Sequence, residues 1–198
     1  MVNKNIQEKR MKEYFVEAGY AILLEEGNES LSVRNIAKKA GYSYATIYNY
    51  FSNSEELMWA IGYRVLEKLT EIIKDKFVQY KDDINCRELL NLVYREYINY
   101  FLENESAYQF IFLKSIDSSN INNEEKNKAP VLFNLQQEIM QNCVDAGFIS
   151  QENKFVCGEL LTNSINGLLA LYFSGKEELK KEDIYTKLEN YVSYLIFT

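Results

Sequence analysis

Apolar side chains recur every three or four positions along most of the chain, the period of a half-buried helix. Residues 14–26 place Phe15, Ala18, Gly19, Ile22 and Leu23 on one face, and Gly27 follows as a stop signal. Ser32 can cap a short helix from Val33 to Lys39 that turns Val33, Ile36, Ala37 and Ala40 inward and ends at Gly41. Ser43 can cap a second short helix running to Phe51, with Ile47 and Phe51 inward. Asn53 and Glu56 have the spacing of a capping box. They open a long helix to Tyr80 with Leu57, Ile61, Val65, Leu69, Ile72, Ile73 and Phe77 inside.

Beyond it, Leu89, Leu90, Val93, Tyr94, Tyr97, Ile98 and Phe101 give residues 86–103 the same period, and another helix is expected from Glu105 to Ile116. The polar run 117–128 reads as a loop, and Pro130 suits the first turn of a helix over 129–146. Two further helices are expected over 152–174 and 181–196. Nothing alternates like a strand and nothing repeats. The expected class is all-α, with one Pro and eight Gly in 198 residues leaving few positions that break a helix.

The charge and residue content narrow the chemistry. The formal net charge is −7, yet residues 1–51 carry net +1, and Arg34, Lys38 and Lys39 meet no acid within 30–51. A segment of opposite sign to its chain suggests an anionic partner. The chain has no His, which removes the commonest general base and metal ligand. Cys86, Cys143 and Cys157 are odd in number and widely spaced, so neither a disulfide framework nor a zinc site is expected, and a reducing cytoplasm suits them. No apolar run approaches the ~20 residues of a membrane span, and the first residues lack the apolar core of a secretory signal. No catalytic residue, metal or cofactor is expected.

The informative stretch is Ser32–Phe51, two short helices joined by a turn at Gly41, which is the helix-turn-helix pattern. Inward faces account for Ile47 and Phe51 but not for Tyr44, Thr46, Tyr48, Asn49 and Tyr50. Hydroxyls and amides on an outer face can bond phosphate oxygens and base edges. With Ser32, Arg34, Ser43 and Ala45, these are the candidate contacts to double-stranded DNA.

Residues 15–61 resemble the DNA-binding domain of the tetracycline-repressor (TetR) family of bacterial transcriptional regulators. The resemblance is carried by Ala18, by LLEEG at Leu23–Gly27, by SVRNIAKKAG at Ser32–Gly41, by SYATIYNYF at Ser43–Phe51 and by EEL at Glu55–Leu57. It implies a three-helix DNA-binding domain, drawn here as 1–53, and a larger helical ligand-binding and dimerisation domain, 54–198. It implies that Thr46 and Tyr48 meet the DNA backbone, that Tyr44 and Ala45 meet bases, and that Tyr50 stands beside a phosphate. Two positions depart from the pattern. Tyr42 stands where a smaller apolar residue is usual, and Ser54 where a phosphate-binding Lys is common. Lys4, Lys9, Arg10 and Lys12 are expected to precede the first full helix as a frayed tail.

By the same resemblance a small-molecule effector would lie among the helices from 54 to 146, lined by Tyr94, Tyr97, Phe101, Phe112 and Met140. The last two helices would form a homodimer through Leu160, Ser164, Gly167, Leu168, Leu171, Leu188, Tyr191 and Leu195. The expected function is a cytoplasmic repressor that releases a palindromic operator when the effector binds. Two alternatives are a DNA-binding protein governed by a protein partner and an all-helical enzyme or carrier, the latter without a supporting motif.

Overall fold

The computed structural model describes residues 2–114, 131–176 and 178–196, with side chains from Asn5 onward. The helices are α1 (Val2–Glu25), α2 (Val33–Ala40), α3 (Tyr44–Ile47), α4 (Ser54–Tyr80), α5 (Cys86–Glu103), α6 (Glu105–Tyr108), α7 (Val131–Asp145), α8 (Lys154–Ser174) and α9 (Lys181–Ile196). A π-helical turn, Gln109–Leu113, follows α6 directly. No strand occurs among the described residues. The expected loop 117–128, Pro130 and the end of the helix expected to reach Ile116 lie outside them.

Two compact units result. The first comprises 2–67 and 104–114, the second 68–103, 131–176 and 178–196. The division drawn at residue 53 follows the motif. The contacts place the first half of α4, together with α6 and the π turn, with α1, α2 and α3.

In the first unit the caps act as the residue types dictate. Ser32 accepts from the Asn35 amide and Ser43 from the Thr46 amide. Asn53 accepts from the Glu56 amide at 2.8 Å, while the Glu56 carboxylate returns to the Ser52 amide at 2.7 Å. Phe15, Ile22, Leu23, Ile36, Ala37, Ile47, Phe51, Leu57 and Ile61 make the core, each at most 3% exposed. Two expectations change. Helix α1 already runs from Val2, so Lys9, Arg10 and Lys12 lie on a helix rather than in a preceding tail. Lys9 pairs with Glu13 one turn on, and Lys12 with Glu56. The α-helix α3 ends at Ile47 rather than Phe51. Asn49 and Tyr50 donate three residues back, to Thr46 and Ile47, so the chain tightens into turns before the Phe51 amide also reaches Ile47.

The second unit buries one face of each of α5, α7, α8 and α9: Leu89, Val93, Ile98 and Phe101 with Ile139, Leu161, Ile165, Leu169, Ile184 and Val192. Cys86 and Cys143 are joined by a disulfide with Cα atoms 5.3 Å apart, contrary to the reading of three unpaired thiols. The 57-residue separation hid the pair, because the turn of the fold, not the sequence, brings the ends of α5 and α7 together. Cys157 is free and buried.

Gly41 has φ +76° and ψ +24°, a left-handed cap, and a Cβ there would meet nothing within 4 Å. The conformation alone therefore sets the cost of a side chain. Gly41→Ala is expected to lower stability by about 1–2 kcal/mol and Gly41→Asn by clearly less, as read from urea midpoints of the two variants.

Candidate nucleic-acid interface

The turn at Gly41 delivers a short helix whose outer surface is aromatic. Ile47 is 1% exposed and holds α3 to the core, while Tyr44 is 62% and Tyr48 47% exposed. The two rings meet edge to face with centroids 6.5 Å apart, so each limits the other's rotamers. Ala45 and Asn49 are exposed, and Thr46 is half-buried. The Ser43 and Thr46 hydroxyls bond each other at 2.8 Å. Ser32 and Arg34 lie at the start of α2, Arg34 on its exposed side.

Tyr50 and Tyr42 have other neighbours. The Tyr50 ring lies 5.8 Å from that of Phe15 on α1, and Tyr42 packs edge to face on Phe15 at 5.5 Å and on Tyr14 at 6.2 Å. A bulky residue in the turn is therefore accommodated by a matching aromatic surface on α1. Of the three bases that gave 30–51 its sign, Lys39 is engaged by Glu25 at 2.5 Å and Glu26 at 3.7 Å. Arg34 and Lys38 remain on the exposed side of α2. Ser54, in place of the frequent Lys, bonds the neighbouring Glu55 carboxylate.

The start of α4 is anchored by a buried carboxylate. Glu56 is 5% exposed and receives the Ser52 amide and the Lys12 ammonium, the latter at 3.3 Å and also stacked over the Phe51 ring. Burial pushes the carboxyl up, but the Ser52 and Lys12 donors outweigh burial and hold it below the ordinary carboxylate range. Sequence reasoning read Glu56 as a cap alone. Lys12 had been assigned to a tail, and only the extension of α1 reveals it as the partner.

Residues 15–61 match the model of the bacterial regulatory proteins of the tetR family. The helix-turn-helix segment of the chain is thus that of the tetR family. Among curated relatives, the HTH-type transcriptional regulator PksA of Bacillus subtilis is 40% identical over 72 residues, 36% of this chain and 35% of PksA. The chain thus matches about a third of that relative's length. Two solved structures share the fold of the chain over nearly its whole length. A TetR-family transcription regulator from Marinobacter aquaeolei VT8 is 21% identical with a TM-score of 0.65, covering 99% of this chain and 98% of that one. FadR from Bacillus subtilis, in complex with stearoyl-CoA, is 19% identical with a TM-score of 0.64, covering 92% and 96%.

The remaining site expectations fall in different places. In the second unit Tyr94, Tyr97, Phe101 and Met140 are at most 6% exposed. The Tyr94 hydroxyl meets Thr162 at 2.8 Å and Gln136 at 3.2 Å, and Tyr97 donates to Asn166 at 2.6 Å. Gln136 also donates to the Gly158 carbonyl and to Thr162. Phe112 belongs to the first unit, on the π turn, with its ring 5.0 Å from that of Tyr108. Along α8, Leu160 is 51% and Leu171 38% exposed, and Ser164 and Gly167 share that open side. Leu168 and Leu188 are buried, whereas Tyr191 and Leu195 are half-buried.

Because Glu56 has a folded-state pKa below its unfolded one, its contribution is complete above about pH 4.3 and is lost as pH falls through the depressed value. Glu56→Gln is expected to cost about 1–2 kcal/mol at pH 7. The gap between wild type and variant should shrink at pH 3, as measured by urea unfolding at the two pH values.

Proposed function

We propose that this TetR-family chain is a cytoplasmic, dimeric repressor that grips a palindromic duplex and releases it when a small molecule binds. Residues 1–53 serve as the reading head and 54–198 as the effector and dimerisation part. The observation that carries the DNA-binding reading is the outward pair Tyr44 and Tyr48 on a helix seated by Ile47. Two large adjacent rings, 62% and 47% exposed, on a three-helix head are costly to leave in water without a partner surface. With Ser32, Arg34, Ser43, Ala45, Thr46, Asn49 and Tyr50 they give a surface of hydroxyls, amides and one guanidinium suited to phosphates and base edges. No described helix is long and apolar enough to cross a membrane.

Dimerisation is assigned to the open side of α8, where Leu160, Ser164, Gly167 and Leu171 recur at helical spacing. A shallow groove there is continued by Leu168, Ala170, Ser174 and Tyr191. Small residues at Ser164 and Gly167 allow a second helix to approach closely, and a twofold pairing places the same stripe on both sides. Effector binding is supported by the likeness to FadR, which holds stearoyl-CoA. One observation favours the second reading, a regulator governed by a protein partner. The tyrosines expected to line the effector site have their hydroxyls satisfied by neighbouring side chains.

The DNA reading is tested on a duplex selected by the protein from random sequence, titrated beside a scrambled duplex at one salt concentration. Tyr48→Phe should weaken both by a similar factor, about three- to tenfold for one hydrogen bond of 0.5–1.5 kcal/mol. Tyr44→Ala should weaken the selected duplex by about tenfold or more and leave the scrambled one nearly unchanged. Loss of selectivity in Tyr48→Phe, or equal losses in Tyr44→Ala, would reverse the two roles. For the dimer, Leu160→Glu and Leu171→Glu alter exposed positions and should leave the helical signal intact while sedimentation shifts from dimer to monomer. A folded variant that stays dimeric removes α8 from the interface.

A further inference from the structure

The disulfide between α5 and α7 sits at the rim of the second unit rather than at its centre. Cys86 and Cys143 are 2% and 0% exposed. Yet Cys86 is the first residue of α5, directly after the turn 81–85, whose Asp82, Asp83 and Asn85 are exposed. Cys143 lies three residues before the exposed turn that begins at Ala146. The backbone holds the two Cα atoms 5.3 Å apart, a spacing at which two cysteines bond without moving the chain. Asn85 caps α5 by accepting from the Glu88 amide, and both helices bury core side chains of their own, Leu89 and Val93 on α5 and Leu135 and Ile139 on α7.

We propose that Cys86 and Cys143 are a reversible oxidation site for hydroperoxides, so that the second unit responds to oxidant through a bond between α5 and α7. This rests on the repressor reading, which places the chain in a reducing compartment where disulfides are transient or sensory. Cys86 is the attacking residue. It is the first residue of an 18-residue helix, whose N-terminal dipole favours negative charge on sulfur. Its thiolate attacks one peroxide oxygen. The S–O bond forms, the O–O bond breaks and the leaving hydroxide takes a proton, giving a sulfenic acid and water (or an alcohol from an organic hydroperoxide). The Cys143 thiol then attacks that sulfur, the S–O bond breaks and a second water leaves. A small dithiol reverses the bond by two exchange steps and departs as its own cyclic disulfide. Cys157 is the internal control. It lies on α8 without a disulfide partner, so no second sulfur stands by to close a bond.

The experiment uses the full chain, purified under reducing conditions, freed of reductant and treated with hydrogen peroxide under native conditions. Free thiols should fall from three to one, and peptide mapping should find Cys86 joined to Cys143 within one chain. Dithiothreitol should restore all three without denaturant. The oxidised form should melt about 5–10 °C above the reduced form, as a closed loop of this length allows. Amides at the first turn of α5 and the last turn of α7 should exchange more slowly in the oxidised form. Cys157→Ser should convert normally, and Cys86→Ser should form no intrachain bond. Conversion only after unfolding, a bond mapped to Cys157, or a bridge that a dithiol opens only in denaturant would overturn the proposal. Thiol counting needs no DNA, so a chain that oxidises but binds no duplex would fault the repressor reading instead.

Discussion

Helices α1, α2 and α4 converge where Gly19 has no side chain, and the reading head depends on that approach. A Cβ at Gly19 would lie 2.3 Å from the Cδ1 of Ile61 and 3.3 Å from the Cδ1 of Ile36. Both isoleucines are fully buried, so neither has open space to retreat into. Branched side chains of α2 and α4 occupy the groove that a larger residue on α1 would fill, and dense packing makes that choice sharp. Phe15, one turn earlier on α1, then receives the rings of Tyr42 and Tyr50 from either side of α3. The attitude of α3, and with it the direction of Tyr44 and Tyr48, is thus set by contacts to α1 more than by the four residues of α3 itself.

Apolar packing is poorly directional, and the capped start of α4 supplies the direction. Glu56 ties the Ser52 amide, the first turn of α4 and Lys12 of α1 to one carboxylate. A buried charge tolerates few geometries, because an arrangement that strips its donors leaves it unpaired at high cost. This fixes where α4 begins relative to Phe51, whose ring lies under the same ammonium. The apolar groove at Gly19 and the polar clamp at Glu56 act a few turns apart on α1. Together they hold the three-helix head without any contribution from the residues that face outward.

Much of this was legible in the sequence, because it is local. Ser32, Gly41, Ser43 and Asn53 announce helix ends through chemistry that acts over three or four residues, and the structure uses each as a cap. The inward faces of α2, α4 and α5 follow from spacing, except that Ile72 is exposed and Val33 half-buried. What spacing does not show is which partner a residue finds at long range. Lys12 reads as tail because its helix lacks a sharp apolar face, and Lys39 reads as unpaired because Glu25 and Glu26 lie outside the segment 30–51. Cys86 and Cys143 could be joined only by the antiparallel return of the chain. Along α8, apolar residues occupy both the buried and the open sides, so Leu160 and Leu168 read alike in sequence and differ only in the fold.

The interior of the second unit constrains what could regulate it. Tyr94, Thr162, Gln136 and the Gly158 carbonyl form one hydrogen-bonded group, and Tyr97 and Asn166 form another, both spanning α5 and α8. An apolar molecule wedged between these helices would separate the pairs and leave buried donors and acceptors unmet, at about 1–3 kcal/mol for each. A molecule that brings its own carbonyl, hydroxyl or amide groups can replace the lost partners as it enters. Under the proposed effector reading, the same network that fills the space would select for a ligand with polar groups matched to Tyr94 and Tyr97. A bond between α5 and α7 acts on the same helices from their ends. It limits how far α5 can move from α7, so oxidation and ligand entry would draw on one shared freedom of the unit.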